Sequence, residues 1–86
     1  MSAPTASDFQ RALDRIFRNA QTQQLAYIDV VSGDLHRDLG GYPSPNHRMP
    51  NLCQVMRRNM QAGDEVLYSP PKGQGATLKI RYLLPR

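Results

Sequence analysis

A chain of 86 residues with one cysteine must hold itself together around a single apolar core, because no internal disulfide is available to it. Folding at this length buries roughly 60–65% of the unfolded surface, and a core of about a dozen side chains leaves little space for a deep pocket. Neither an enzyme nor a small-molecule site is therefore expected. Small secreted domains usually depend on disulfides, so a reducing, cytoplasmic setting is expected by elimination. No apolar run approaches the roughly 18–20 residues of a membrane span. Residues 1–7 carry neither the basic segment nor the apolar stretch of a signal peptide. A composition of 40% hydrophobic and 21% charged residues is that of a globular chain, not a disordered one.

The first strong pattern is helical. Phe9, Ala12, Leu13, Ile16, Phe17 and Ala20 recur on one face of a 3.6-residue helix, and Ser7 with Gln10 fits a capping box. These apolar residues read as core. Residues 1–6 read as a loose tail, leaving 7–86 as one domain. Leu25 to Val31 has the β-branched and aromatic character of a short strand. Ser32 then offers a helix N-cap for a short helix, Asp34 to Leu39, with Leu35 and Leu39 facing inward and Gly40-Gly41 ending it.

Most of the seven prolines and six glycines fall after residue 32, so the second half should be turn-rich. Tyr42 to Asn46 is turn chemistry. A third helix follows, with Pro50 at its start and Gly63 as its C′ residue. Its apolar stripe is Met49, Leu52, Cys53, Met56 and Met60; Asn51, Gln54, Arg57, Arg58 and Gln61 lie opposite, with no acid among them. Glu65 to Tyr68 begins a strand, the run 70–75 is a loop, and Thr77 to Leu84 alternates, with Leu78, Ile80, Tyr82 and Leu84 on one side.

Charge separates the two halves. Residues 1–38 carry four basic and five acidic side chains, whereas residues 39–86 carry seven basic ones against Asp64 and Glu65. A basic half suits a polyanion, because each neutralised phosphate releases counterions. It also suits a merely solvated surface.

The order helix, strand, helix, turn, helix, strand, loop, strand across residues 7–84 resembles the winged-helix (winged helix-turn-helix) superfamily of α+β domains. The run 33–43, followed by Asn46 to Pro50, is similar to small, uncharacterised bacterial modules. The winged-helix resemblance implies three helices on a small antiparallel sheet, and duplex DNA as partner. It places the third helix in or near the major groove and the loop against the adjacent backbone. Asn46, His47, Arg48, Asn51 and Gln54 would then reach base edges. Arg57, Arg58, Lys72, Lys79 and Arg81 would contact phosphate. Winged-helix domains also bind proteins, and a protein-interaction or adaptor domain is the alternative, with RNA binding a third reading. A homodimer or a larger protein partner fits either of the first two.

Other chemistry is less well supported. His36, His47 and Cys53 match no zinc spacing, and Cys53 falls on an apolar face, unsuited to a nucleophile. No metal or other cofactor is expected. His36 reads as a helix-surface side chain, and Tyr42 and Tyr68 as half-buried packing residues. Gly73-Gln74-Gly75 lacks the Lys-Ser/Thr of a phosphate loop and reads as a turn.

Overall fold

The computed structural model of the chain describes residues 3–40, 42 and 47–86. Three helices, α1 (Ala6–Thr22), α2 (Ser32–Leu39) and α3 (Met49–Arg58), pack with three strands, β1 (Tyr27–Val31), β2 (Glu65–Tyr68) and β3 (Lys79–Leu83). The architecture is α+β, with an open antiparallel sheet in the order β1-β3-β2.

The expected apolar stripe of α1 is buried: Phe9, Ala12, Leu13, Phe17 and Ala20 face the core and Ile16 packs at its edge. The cap differs from the expected one. Thr5, not Ser7, is the N-cap: its hydroxyl accepts the Asp8 amide at 3.2 Å, and the Asp8 carboxylate accepts the Thr5 amide at 2.8 Å. Thr5 and Ala6, expected in a loose tail, thus belong to the helix and its cap. Gln10 is drawn away from a capping role by Asp14 and by a reciprocal amide pair with Asn59.

Strand β1 begins at Tyr27, two residues later than expected, and leaves Leu25 exposed. Helix α2 follows without a break and starts at Ser32. Ser32 does not cap it. The Ser32 hydroxyl donates instead to the Gly75 carbonyl and its amide to that of Leu78, so this end of α2 is held by the loop before β3. Gly33 is required beside it, because a Cβ there would lie 2.7 Å from the Ala76 carbonyl oxygen. Leu35 is buried and Leu39 partly so, as expected of an inward pair. Gly40, at a φ of +92°, ends the helix. Gly41 and residues 43–46 of the expected turn lie outside the described residues.

Helix α3 carries Pro in its first turn as expected, but Asn59 closes it rather than Gly63. The Asn59 amide group bonds the Val55 carbonyl at 2.7 Å, satisfying a helix-end acceptor from a side chain. Gly63 lies in the turn before β2, where its φ of +93° is a conformation that other residues rarely adopt. Met49, Leu52, Cys53 and Met56 are buried, Val55 joins them, and Met60 is partly buried.

Strand β3 is the centre of the sheet. Its register runs Tyr27↔Leu83 to Val31↔Lys79 with β1, and Glu65↔Arg81 and Val66↔Ile80 with β2. A bulge between Val66 and Tyr68 then sets Tyr68 opposite Lys79. The paired strand is shorter than the expected 77–84, yet the alternation holds: Leu78, Ile80 and Tyr82 are fully buried, and Lys79 and Arg81 face outward, half-buried. The buried Tyr82 hydroxyl donates to the Met56 carbonyl at 2.7 Å, joining α3 to the sheet. Burial pushes the phenol pKa well above its ordinary value.

Candidate nucleic-acid interface

Helix α3 buries one side and leaves Asn51, Gln54 and Arg58 exposed on the other. Spacings of three and four residues gather them on one face. Arg48 is exposed at the N-cap position, and exposed His47 accepts the Met49 amide through Nδ1 at 3.2 Å. Asn46, expected at the same end, lies outside the described residues.

The approach to this end of α3 is organised by His36, which is completely buried rather than on the helix surface. Its Nδ1 lies 3.1 Å from the Gly40 carbonyl oxygen, and its Nε2 lies 2.9 Å from the Arg48 amide nitrogen. A carbonyl only accepts and an amide N–H only donates. The ring is therefore neutral with its proton on Nδ1. Its centroid is 5.1 Å from that of Phe9 on α1 and 5.7 Å from that of Tyr42. The histidine thus ties the end of α2 to the start of α3.

The other side of α3 holds the β2–β3 loop. The Arg57 guanidinium donates to the Gly73 carbonyl at 2.8 Å and to the Ser69 hydroxyl at 3.2 Å. The Cys53 sulfur lies 3.4 Å from both the amide nitrogen and the carbonyl oxygen of Gly75. Gly33 donates to Ala76 at 2.8 Å, and Gly73 to Pro70 at 2.8 Å across a turn that its φ of +78° permits. The loop is bonded to α2 and α3 along its base, with Lys72 exposed at its tip. Cys53 is buried on the inner face, as expected, and its sulfur serves the loop.

Charge pairing separates the cations into two groups. Arg11, Arg37, Arg81 and Arg86 are paired with Asp8, Asp34, Asp29 and Asp64. Arg48, Arg57, Arg58, Lys72 and Lys79 have no acidic partner within 4.0 Å among the described residues, and neither do Arg15 and Arg18 on α1. Arg81 meets Asp29 through two bonds of 2.8 and 3.0 Å and lies 4.1 Å over the Tyr27 ring. The hydrogen bonds from Arg81 hold the Asp29 carboxyl below the ordinary Asp range. Arg81 is therefore neutralised within the sheet, and Arg57 is engaged by the loop.

Tyr68 is 52% exposed, not half-buried, on an edge strand whose four residues are all exposed. Tyr42 is partly buried against His36 and His47, in line with a packing role. Among the described residues, no three His, Cys, Asp or Glu side chains gather in a way that could hold a metal, and no helix is long and apolar enough to cross a membrane.

Sequence reasoning placed the exposed α3 residues but missed His36, the bonds from Ser32 and Cys53 to Gly75, and Arg86 as a buried ion-pair member. Each depends on a partner 12 or more residues away, and no local pattern reports it. No protein-family model, curated protein or solved structure matches the chain.

Proposed function

We propose that the chain is a winged-helix module that binds duplex DNA through α3 and the β2–β3 loop, and that it is not an enzyme. The carrying observation is the group of cations on α3 and the hairpin without acidic partners among the described residues, of which Arg48, Arg58, Lys72 and Lys79 are not engaged by the loop as Arg57 is. The element order and the central position of β3 support the winged-helix reading. In it, Arg48, Asn51 and Gln54 reach base edges from the N-terminal part of α3, with Asn46 and His47 just before them. Arg58, Lys72 and Lys79 contact phosphate. Arg57 and Arg81 contribute through the scaffold, by fixing the loop and the sheet. A lone module of this kind buries only about 600–1,000 Å² on DNA, so a dimer or a larger protein partner belongs to the same reading. The single buried thiol suits a reducing cytoplasm.

The test is titration of the protein with random duplex DNA at about 50 mM and about 200 mM salt, followed by fluorescence anisotropy. A steep loss of affinity with salt supports the reading, and no binding at low salt removes it. Competition with RNA hairpins separates DNA from RNA. One observation favours the protein-interaction reading instead: Val66, Leu67 and Tyr68 are exposed together on the edge strand β2. That reading predicts association insensitive to salt and to loss of Arg48 or Lys72.

A further inference from the structure

We infer that His36 is a pH-sensitive positioning residue that sets the N-terminal end of α3, and that charging it releases that end. Its functional consequence rests on the duplex-DNA reading; the structural one does not. His36 is fully buried and uses both ring nitrogens, Nδ1 toward the Gly40 carbonyl and Nε2 as acceptor of the Arg48 amide. The second bond exists only while Nε2 keeps its lone pair. A proton taken up from solvent at Nε2 sets one N–H against another, so the bond to Arg48 is lost and a buried donor is left without an acceptor.

Nothing around the ring, among the described residues, compensates the new charge. Phe9 faces it from α1, Tyr42 and His47 from the α2–α3 connection, and Arg48 from α3. On its own helix Asp34 is paired outward with Arg37, Asp38 is exposed, and His36 makes no ion pair among the described residues. His47 is exposed with its ring 6.4 Å from that of His36, so its charge opposes rather than balances a second one. The segment set free is the one that carries Arg48. Helix α1 and strand β3 have their own core contacts and remain in place.

The test is an NMR titration of the whole chain from about pH 8, where histidine is ordinarily neutral, down to the onset of acid unfolding. It follows the His36 ring nitrogens and the exchange protection of the Arg48 amide. Duplex-DNA anisotropy is measured over the same interval in a His47→Gln background, with and without His36→Gln. Glutamine supplies an amide oxygen acceptor and does not titrate. Arg48 protection is expected to fall in step with His36 charging while that of Ile80 persists. DNA affinity is expected to drop about tenfold with His36 present, and to stay level in His36→Gln, where no titrating group remains at that position. The proposal is overturned by an Arg48 amide that stays protected as His36 charges, by a His36 that remains neutral down to acid unfolding, or by equal pH profiles for the two DNA-binding series. If His36→Gln does not fold, the ring and amide titrations of the unmodified chain decide alone. If no DNA binds at any pH while Arg48 follows His36, the positioning role stands and the DNA reading falls.

Discussion

The Arg86 guanidinium and the Asp64 carboxylate meet at 2.9 Å with side chains 7% and 1% exposed, which makes them a buried ion pair. Arg86 also lies 4.7 Å from the Phe17 ring centroid and 5.1 Å from that of Tyr82, and donates to the Asn59 carbonyl. Asp64 accepts the Leu83 and Gln61 amides, each at 2.8 Å. One pair thus joins α1, the turn after α3 and the end of β3. Removing either partner leaves an uncompensated buried charge. Arg86→Ala or Asp64→Ala is expected to cost about 3–5 kcal/mol in urea denaturation. A cost below about 1 kcal/mol, typical of exposed pairs, would show that solvent reaches the site.

Acid should act through the same group. Burial works to raise the Asp64 carboxyl, but the Leu83 and Gln61 amides and Arg86 outweigh it and hold it below the ordinary Asp range. Arg81 does the same for Asp29, and the Thr5 amide and hydroxyl for Asp8. A folded-state value below the unfolded one, about 3.9, gives stability that is complete above that pH. This stability is lost as pH falls through the folded value. The unfolding free energy should therefore decline below about pH 4. The decline should be shallower in Asp64→Asn, as read from urea midpoints across pH; equal slopes in the two proteins would exclude Asp64 as a contributor.

Arg48 and Arg58 distinguish a DNA surface from a solvated one. Each is exposed and unpaired among the described residues, so Arg48→Ala and Arg58→Ala should leave the melting temperature nearly unchanged. Under the DNA reading, each should weaken duplex binding by about 1–3 kcal/mol where it contacts a base and reduce the salt slope by about one where it contacts phosphate. Unchanged anisotropy in both variants would sink the assigned face.

The two candidate caps of α1 can be separated directly. Thr5→Ala should destabilise the fold by about 1 kcal/mol, since it removes the acceptor of the Asp8 amide. Ser7→Ala should fall within about 0.5 kcal/mol of the unmodified chain in the same denaturation experiment. The reverse order would return the cap to Ser7.

These two residues also show how far the chain was readable before its structure. Thr5-Asp8 and Ser7-Gln10 share the spacing of a capping box, and in the fold Gln10 bonds Asp14 and Asn59, the latter 49 residues away, while Thr5 and Asp8 form the box. The apolar period of α1 and the alternation of β3 were legible because burial repeats along a single element. His36 was not, because it follows Leu35 on a helix whose inward side reads as Leu35 and Leu39, and its burial depends on Phe9 and Arg48 closing over it. Ser32 looked like a cap because serine often is one, yet its hydroxyl is used by Gly75. The exposed α3 residues were legible as a polar face. Arg57, on the edge of that face, differs because the loop folds back onto it.

Gly75 receives the Ser32 hydroxyl and the Cys53 sulfur, and Gly73 receives Arg57, so the loop is braced from two helices before anything binds. Lys72 is thereby carried next to a backbone carbonyl, that of Gly73, which α3 holds. A contact made by its ammonium group then sacrifices side-chain freedom but little backbone freedom, and the ordering cost of association falls mainly on the partner.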